Sequence, residues 1–144
     1  MYVVFVAEEI DGNIVSFYHV LKEKREMKNS IVWFEVMGQN TDKLLPFYQE
    51  MFDWELEKAP DMNYHMLGDV EKGIPGGVGQ VPQGTGWTTF YVNVESLDNS
   101  IASAERMGGK VLMPSTPLPD GANIAVISDP EGHPVGLFQA AANA

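Results

Sequence analysis

Residues 31–56 can be laid over 87–112 without a gap, and a chain that resembles itself at a fixed offset builds one supersecondary unit twice. At this offset of 56 residues the identities are Phe34/Phe90, Val36/Val92, Asp42/Asp98, Met51/Met107 and Leu56/Leu112, with Leu45/Ile101 conservative. Each copy opens with a predicted strand, Ile31–Met37 or Trp87–Val94. Period-two alternation puts Phe34 and Val36 on one face of the first strand, and Phe90 and Val92 on one face of the second.

A helix follows each strand. In the first copy Leu44, Leu45, Tyr48, Met51 and Phe52 form an apolar stripe after the capping candidates Asn40 and Thr41. Pro46 lacks the N–H for an interior helix bond, so this helix is expected to start late or to kink there. In the second copy Leu97, Ile101, Ala104 and Met107 form the stripe, Ser96 or Asp98 can cap it, and Gly108-Gly109 supplies the stop. Short strands split by Gly and Pro come next: Trp54–Lys58, Asn63–Leu67 and Gly77–Val81, then Lys110–Met113, Asn123–Ser128 and Val135–Gln139. Residues 82–86 read as a linker and 114–121 as a proline-rich loop. The expectation is therefore α+β, two tandem βαβββ modules over 31–81 and 87–139. Neither can bury a sheet face and a helix alone, so the two are expected to share one core within a single domain, 31–144.

Residues 1–30 have no counterpart in the repeat. Tyr2–Ala7 and Ile14–Leu21 suggest a hairpin around Asp11-Gly12-Asn13, followed by a charged segment from Lys22 to Lys28. Met27 is an alternative start that would leave the hairpin outside the native protein. The apolar N-terminal stretch has no basic flank before it and runs into Glu8 and Glu9, so no secretory signal is read and a cytoplasmic address is expected.

The net charge of −11 lies mainly beyond residue 30, where five Lys/Arg face fifteen Asp/Glu. Such a surface repels phosphate backbones and anionic lipid, which argues against nucleic-acid and membrane partners and suits a neutral or cationic small molecule. With no cysteine in the chain, any metal would need His, Asp, Glu or Gln.

The paired modules, the first strand Val32-Trp33-Phe34-Glu35-Val36, the helix tail Pro46-Phe47-Tyr48 leading to Phe52-Asp53-Trp54, the segment Gly108-Gly109-Lys110-Val111 and the closing Asp129-Pro130-Glu131-Gly132 resemble the vicinal oxygen chelate superfamily. That superfamily includes glyoxalase I, bleomycin and fosfomycin resistance proteins and extradiol dioxygenases, and the likeness is greatest to the branch related to lactoylglutathione lyase. The resemblance covers about residues 31–140. It implies a mixed sheet curled around a shared cavity, a homodimer, and a metal held by one side chain from the first and one from the last strand of each module. Mapped here, those four positions fall on Trp33, Gln80, Thr89 and Gly136.

Trp and Gly cannot ligate through a side chain, Thr rarely does, and Gln is a weak ligand. The family's metal site thus reads as degenerate, with no cofactor expected. What remains is the inward face: Ile31, Trp33, Glu35 and Met37 on one strand, and Trp87, Thr89, Tyr91 and Asn93 on its partner. Glu35 is the ionisable residue on that face. It is either a general base raised by apolar surroundings or a carboxylate hydrogen-bonded to Tyr91 or Asn93. His65 is a further pocket candidate whose facing depends on strand register. His133 reads as a turn residue, and the Gly73–Gly79 run as strand packing, not a phosphate loop. Three functions stay open: a binding protein for a small aromatic or cationic molecule, a lyase, isomerase or dioxygenase-type enzyme using Glu35 or an unrecognised metal site, and a dimerisation module.

Overall fold

The modules meet in the middle of one sheet, along the strands that open each repeat. In the computed structural model, which describes residues 2–10, 13–21, 28–68 and 70–142, the first module runs β3 (Ile31–Gly38), α1 (Thr41–Phe52), β4 (Glu57–Lys58), β5 (Tyr64–Leu67) and β6 (Gly76–Gln80). The second runs β7 (Trp87–Asn93), α2 (Leu97–Arg106), β8 (Lys110–Pro117), β9 (Asn123–Ser128) and β10 (Pro134–Gln139). Their eight strands form a mixed sheet in the order β4-β5-β6-β3-β7-β10-β9-β8. Upstream, β1 (Tyr2–Ile10) and β2 (Asn13–Leu21) pair antiparallel as a separate two-stranded sheet. The proposed turn at Asp11-Gly12, most of the charged segment and the alternative start at Met27 lie outside the described residues.

β3 and β7 are antiparallel, with Trp33 opposite Tyr91, Glu35 opposite Thr89 and Met37 opposite Trp87. Each then pairs in parallel with the last strand of its own module, Glu35 beside Gly77 on β6 and Tyr91 beside Gly136 on β10. A bulge between Ile31 and Trp33 sets Ile31 opposite Val92, so Ile31 leaves the face it was expected to share with Trp33.

Both helices are capped where the sequence suggests. The Asn40 side chain accepts from the Lys43 N–H, and Ser96 accepts from the Asn99 N–H. Helix α1 begins at Thr41 and runs through Pro46, so the late start is not adopted. It ends at Asp53 in the left-handed region (φ 56°), which throws Trp54 back onto Phe34, Tyr48 and Phe52. That cluster takes Trp54 out of the predicted fourth strand, which shrinks to Glu57–Lys58. Conversely, β8 continues through Pro114 to Pro117, where a loop was expected. It is the sheet's edge strand, so the missing proline N–H groups cost it no ladder bond, and its pairing is irregular after Val111.

The core is less evenly shared than expected. Val94, Leu97, Ala125 and Leu137 form a buried cluster within module two, flanked by Val92, Ile101 and Ile127. In module one the α1 side of β6 offers Gly76 and the fully buried Val78, and Phe47, Met51 and Phe52 of α1 stay 57, 64 and 50% exposed. No helix among the described residues is long and apolar enough to cross a membrane.

Candidate functional site

Glu35 is the hub of the central sheet face. Its Oε2 accepts from Trp87 Nε1 at 3.1 Å and from the Tyr91 hydroxyl at 3.3 Å. Tyr64, on β5, lies close enough to feel the Glu35 charge, and its hydroxyl accepts from Trp33 Nε1 at 2.9 Å. One indole and one phenol thus bond the carboxylate directly, and a second such pair, Trp33 and Tyr64, is bonded to each other beside it.

Glycines make this arrangement possible. A Cβ on Gly77 would overlap the Tyr64 hydroxyl and ring, and one on Gly79 would meet the Tyr64 ring and Met37 Sδ. A Cβ on Gly136 would overlap the Tyr91 ring in the same way. The phenols lie flat over a bare backbone floor on either side of β3 and β7, a use of strand glycine that brings rings and main chain together.

Burial pushes the Glu35 carboxyl above its usual range, against the lowering effect of hydrogen bonds from Trp87 and Tyr91. The phenols of Tyr64 and Tyr91 are also raised, first by burial and further by the adjacent Glu35 charge, while the Trp33 hydrogen bond partly offsets the shift at Tyr64. Both tyrosines stay protonated donors at any physiological pH. Beside this cluster, a hollow of about 430 Å³ is bordered by Trp33, Met66, Glu57, Val70 and Pro75. A larger hollow of about 860 Å³ lies at the same end of module one, over Phe34 and Trp54, and does not include Glu35.

The structure brings Trp33, Glu35, Met37, Trp87, Thr89 and Tyr91 onto one face, with Asn93 further along β7. Asn93 is not a partner of Glu35 among the described hydrogen bonds; Trp87 takes that place. Gln80 and His65 are not brought to this face. Tyr64 and Met66 point toward Trp33 and Glu35, so alternation turns His65 the other way, opposite the fully buried Val78, where its Nδ1 is buried without a hydrogen-bond partner. Gln80 accepts from Asn63 Nδ2, and Asn63 Oδ1 accepts from the Thr41 hydroxyl. His133 sits in the β9–β10 turn with Nδ1 2.9 Å from Asp129.

Sequence reasoning missed Tyr64 and Glu57. The signal for Tyr64 was present in the Tyr64-His65-Met66 alternation, but choosing its face required the register. The repeat also misplaced one position. Glu35 and Tyr91 are equivalents, and their parallel neighbours are Gly77 and Gly136, so the counterpart of Gly136 is Gly77 and not Gln80.

The donors at these four positions do not fit a metal. The Trp33 N–H is given to Tyr64, and the Thr89 hydroxyl, 4% exposed, is given to the Pro134 carbonyl at 2.7 Å. Gly77 and Gly136 have no side chain. Among the described residues no three His, Cys, Asp or Glu side chains gather as a metal-holding group.

Residues 34–138 match the family described as glyoxalase-like domain. Among curated proteins, the chain is 30% identical over 114 residues to "Putative glyoxylase CFP32" of Mycobacterium bovis and of Mycobacterium tuberculosis. The match covers 72% of this chain and 41% of each relative, so the chain spans well under half their length. Among solved structures, hypothetical protein BH1468 from Bacillus halodurans superposes with a TM-score of 0.58 at 16% identity, covering 82% of this chain and 99% of that one. A glyoxalase/bleomycin resistance protein/dioxygenase superfamily member from Vibrio splendidus gives 0.57 at 14% identity, covering 78% and 99%. At these identities the likeness speaks for the fold alone. By the family match over most of its length and by this shared fold, the chain belongs to the glyoxalase-like domains of the vicinal oxygen chelate superfamily.

Proposed function

We propose that this protein binds a small aromatic molecule, neutral or cationic, on the Glu35 face without a metal. The observation that carries the reading is the Glu35 hub itself. Two hydrogen bonds to Glu35 and one from Trp33 to Tyr64 tie four aromatic side chains together over a glycine floor, and one of them, Trp33, forms a wall of the adjacent hollow. Pre-oriented aromatic walls with a few polar groups are what a small-molecule site needs, and a desolvated carboxylate favours a ligand bearing N–H groups or positive charge.

The test is thermal unfolding in the presence of planar aromatic compounds of both charge types. A ligand at a hundred times its Kd should add about 2.7 kcal/mol of stability. Trp33→Ala and Glu35→Ala should abolish that gain; stabilisation that survives both variants rejects this site.

A second reading rests on the raised Glu35 pKa, which suits a general base in a lyase or isomerase-type reaction. Oε2 already accepts two hydrogen bonds, which supports a positioning role over proton abstraction. Turnover abolished by Glu35→Gln with ligand binding retained would favour the enzyme. The proposal extends to a homodimer, supported by the exposed Phe47, Met51 and Phe52 of α1.

A further inference from the structure

We propose that the larger hollow of module one is a second binding site, for an organic cation with an apolar body such as an arylalkylammonium. It goes beyond the Glu35 face: it includes neither Glu35 nor Tyr64 and Tyr91, and meets the smaller hollow along Glu57, Gly68 and Val70, which border both.

Three observations converge on that ligand class. The floor is aromatic: Phe34 and Trp54 border the hollow with ring centroids 5.3 Å apart, and Tyr48 stacks behind Trp54 with an interplanar angle of 10°. The rim is acidic, with Asp53, Glu55 and Glu57 against Lys72. Helix α1 also ends there, at Asp53, with no basic residue in its last turn to answer its unpaired carbonyls. A helix C-terminus carries partial negative charge, so backbone and side chains bias the hollow in the same sense.

The volume, about 860 Å³, lies within the range of small-molecule sites. A bare metal ion is a poor occupant, because these carboxylates do not gather into a metal-holding group. A diffuse cation that stacks its apolar body on Trp54 and Phe34 uses both features, since an ammonium near an indole face is attracted by the ring quadrupole.

The three tryptophans make the site separable from the Glu35 face. Trp54 reports on this hollow, whereas Trp33 and Trp87 belong to the Glu35 network. The experiment titrates the full chain, ¹⁵N-labelled, with benzyltrimethylammonium and, separately, with benzyl alcohol, following the three indole N–H resonances. The Trp54 resonance should move saturably with the cation, and the neutral alcohol should bind at least about threefold more weakly. The double variant Asp53→Asn/Glu55→Gln alters two exposed carboxylates, and asparagine tolerates the left-handed conformation at 53. It should weaken the cation by about threefold to tenfold while leaving the free-state positions of Trp33 and Trp87 unchanged. A Trp54 resonance that does not move, or that moves equally with the neutral compound, overturns the proposal. So does an undiminished response in the double variant. Movement of Trp33 and Trp87 alone would support the Glu35 face and reject this second site.

Discussion

At Gly136 a single missing Cβ holds the site together. Tyr91 lies across it, and its hydroxyl is committed to Glu35, so the ring cannot swing away without breaking that bond. Gly136→Ala should therefore destabilise by about 1–3 kcal/mol in chemical denaturation, as overpacking does. In a Tyr91→Ala background the same change should cost much less, and a double-mutant cycle reads the difference. A carboxylate introduced by Gly136→Glu alone would collide with Tyr91. Glu35 makes a second prediction. Its pKa is raised above the unfolded value, so the folded protein holds this proton more tightly than the unfolded chain does. Its contribution to stability is then least favourable above the folded pKa and improves as pH falls toward the unfolded value near 4.5. Glu35→Gln should remove that part of the pH dependence, measured as unfolding free energy against pH in both proteins.

Among the elements, α1 is the least settled into its surroundings. Pro46 stands in its second turn, where it deprives the Asp42 carbonyl of its helical N–H partner. Pro46→Ala should stabilise by about 1–3 kcal/mol in thermal or denaturant unfolding, since the site is exposed and the bond is restored. The two βαβββ units, the caps at Asn40 and Ser96 and the pairing of the repeat's opening strands were legible because each depends on local chemistry or on a two-residue period. Three features were not. Three extra residues in module two, between the start of α2 and β10, lengthen the offset there, so an offset taken from the first strands overshoots Gly77 and lands on Gln80. The face of a four-residue strand, β5, cannot be read without its neighbour, which left Tyr64 and His65 undistinguished. The aromatic pull of Phe34, Tyr48 and Phe52 on Trp54 is a tertiary effect that overrides strand propensity, as the edge position of β8 overrides its prolines.

On the scale of the whole molecule, the eight-stranded sheet carries one organised face, around Glu35, and on the opposite side two helices packed to different degrees. The exposed α1 residues predict an association that sedimentation velocity can read: a dimer for the native protein, shifted toward monomer by Met51→Lys. We infer that the first and last strands, which the resemblance to the superfamily marks as the metal-bearing ones, here build an aromatic surface around Glu35 instead. Elemental analysis of native protein purified without chelators tests it most directly. Less than about a tenth of an equivalent of any transition metal per chain is the expected result. One equivalent of zinc, nickel, manganese or iron, lost together with ligand binding when the protein is dialysed against chelator, would contradict it.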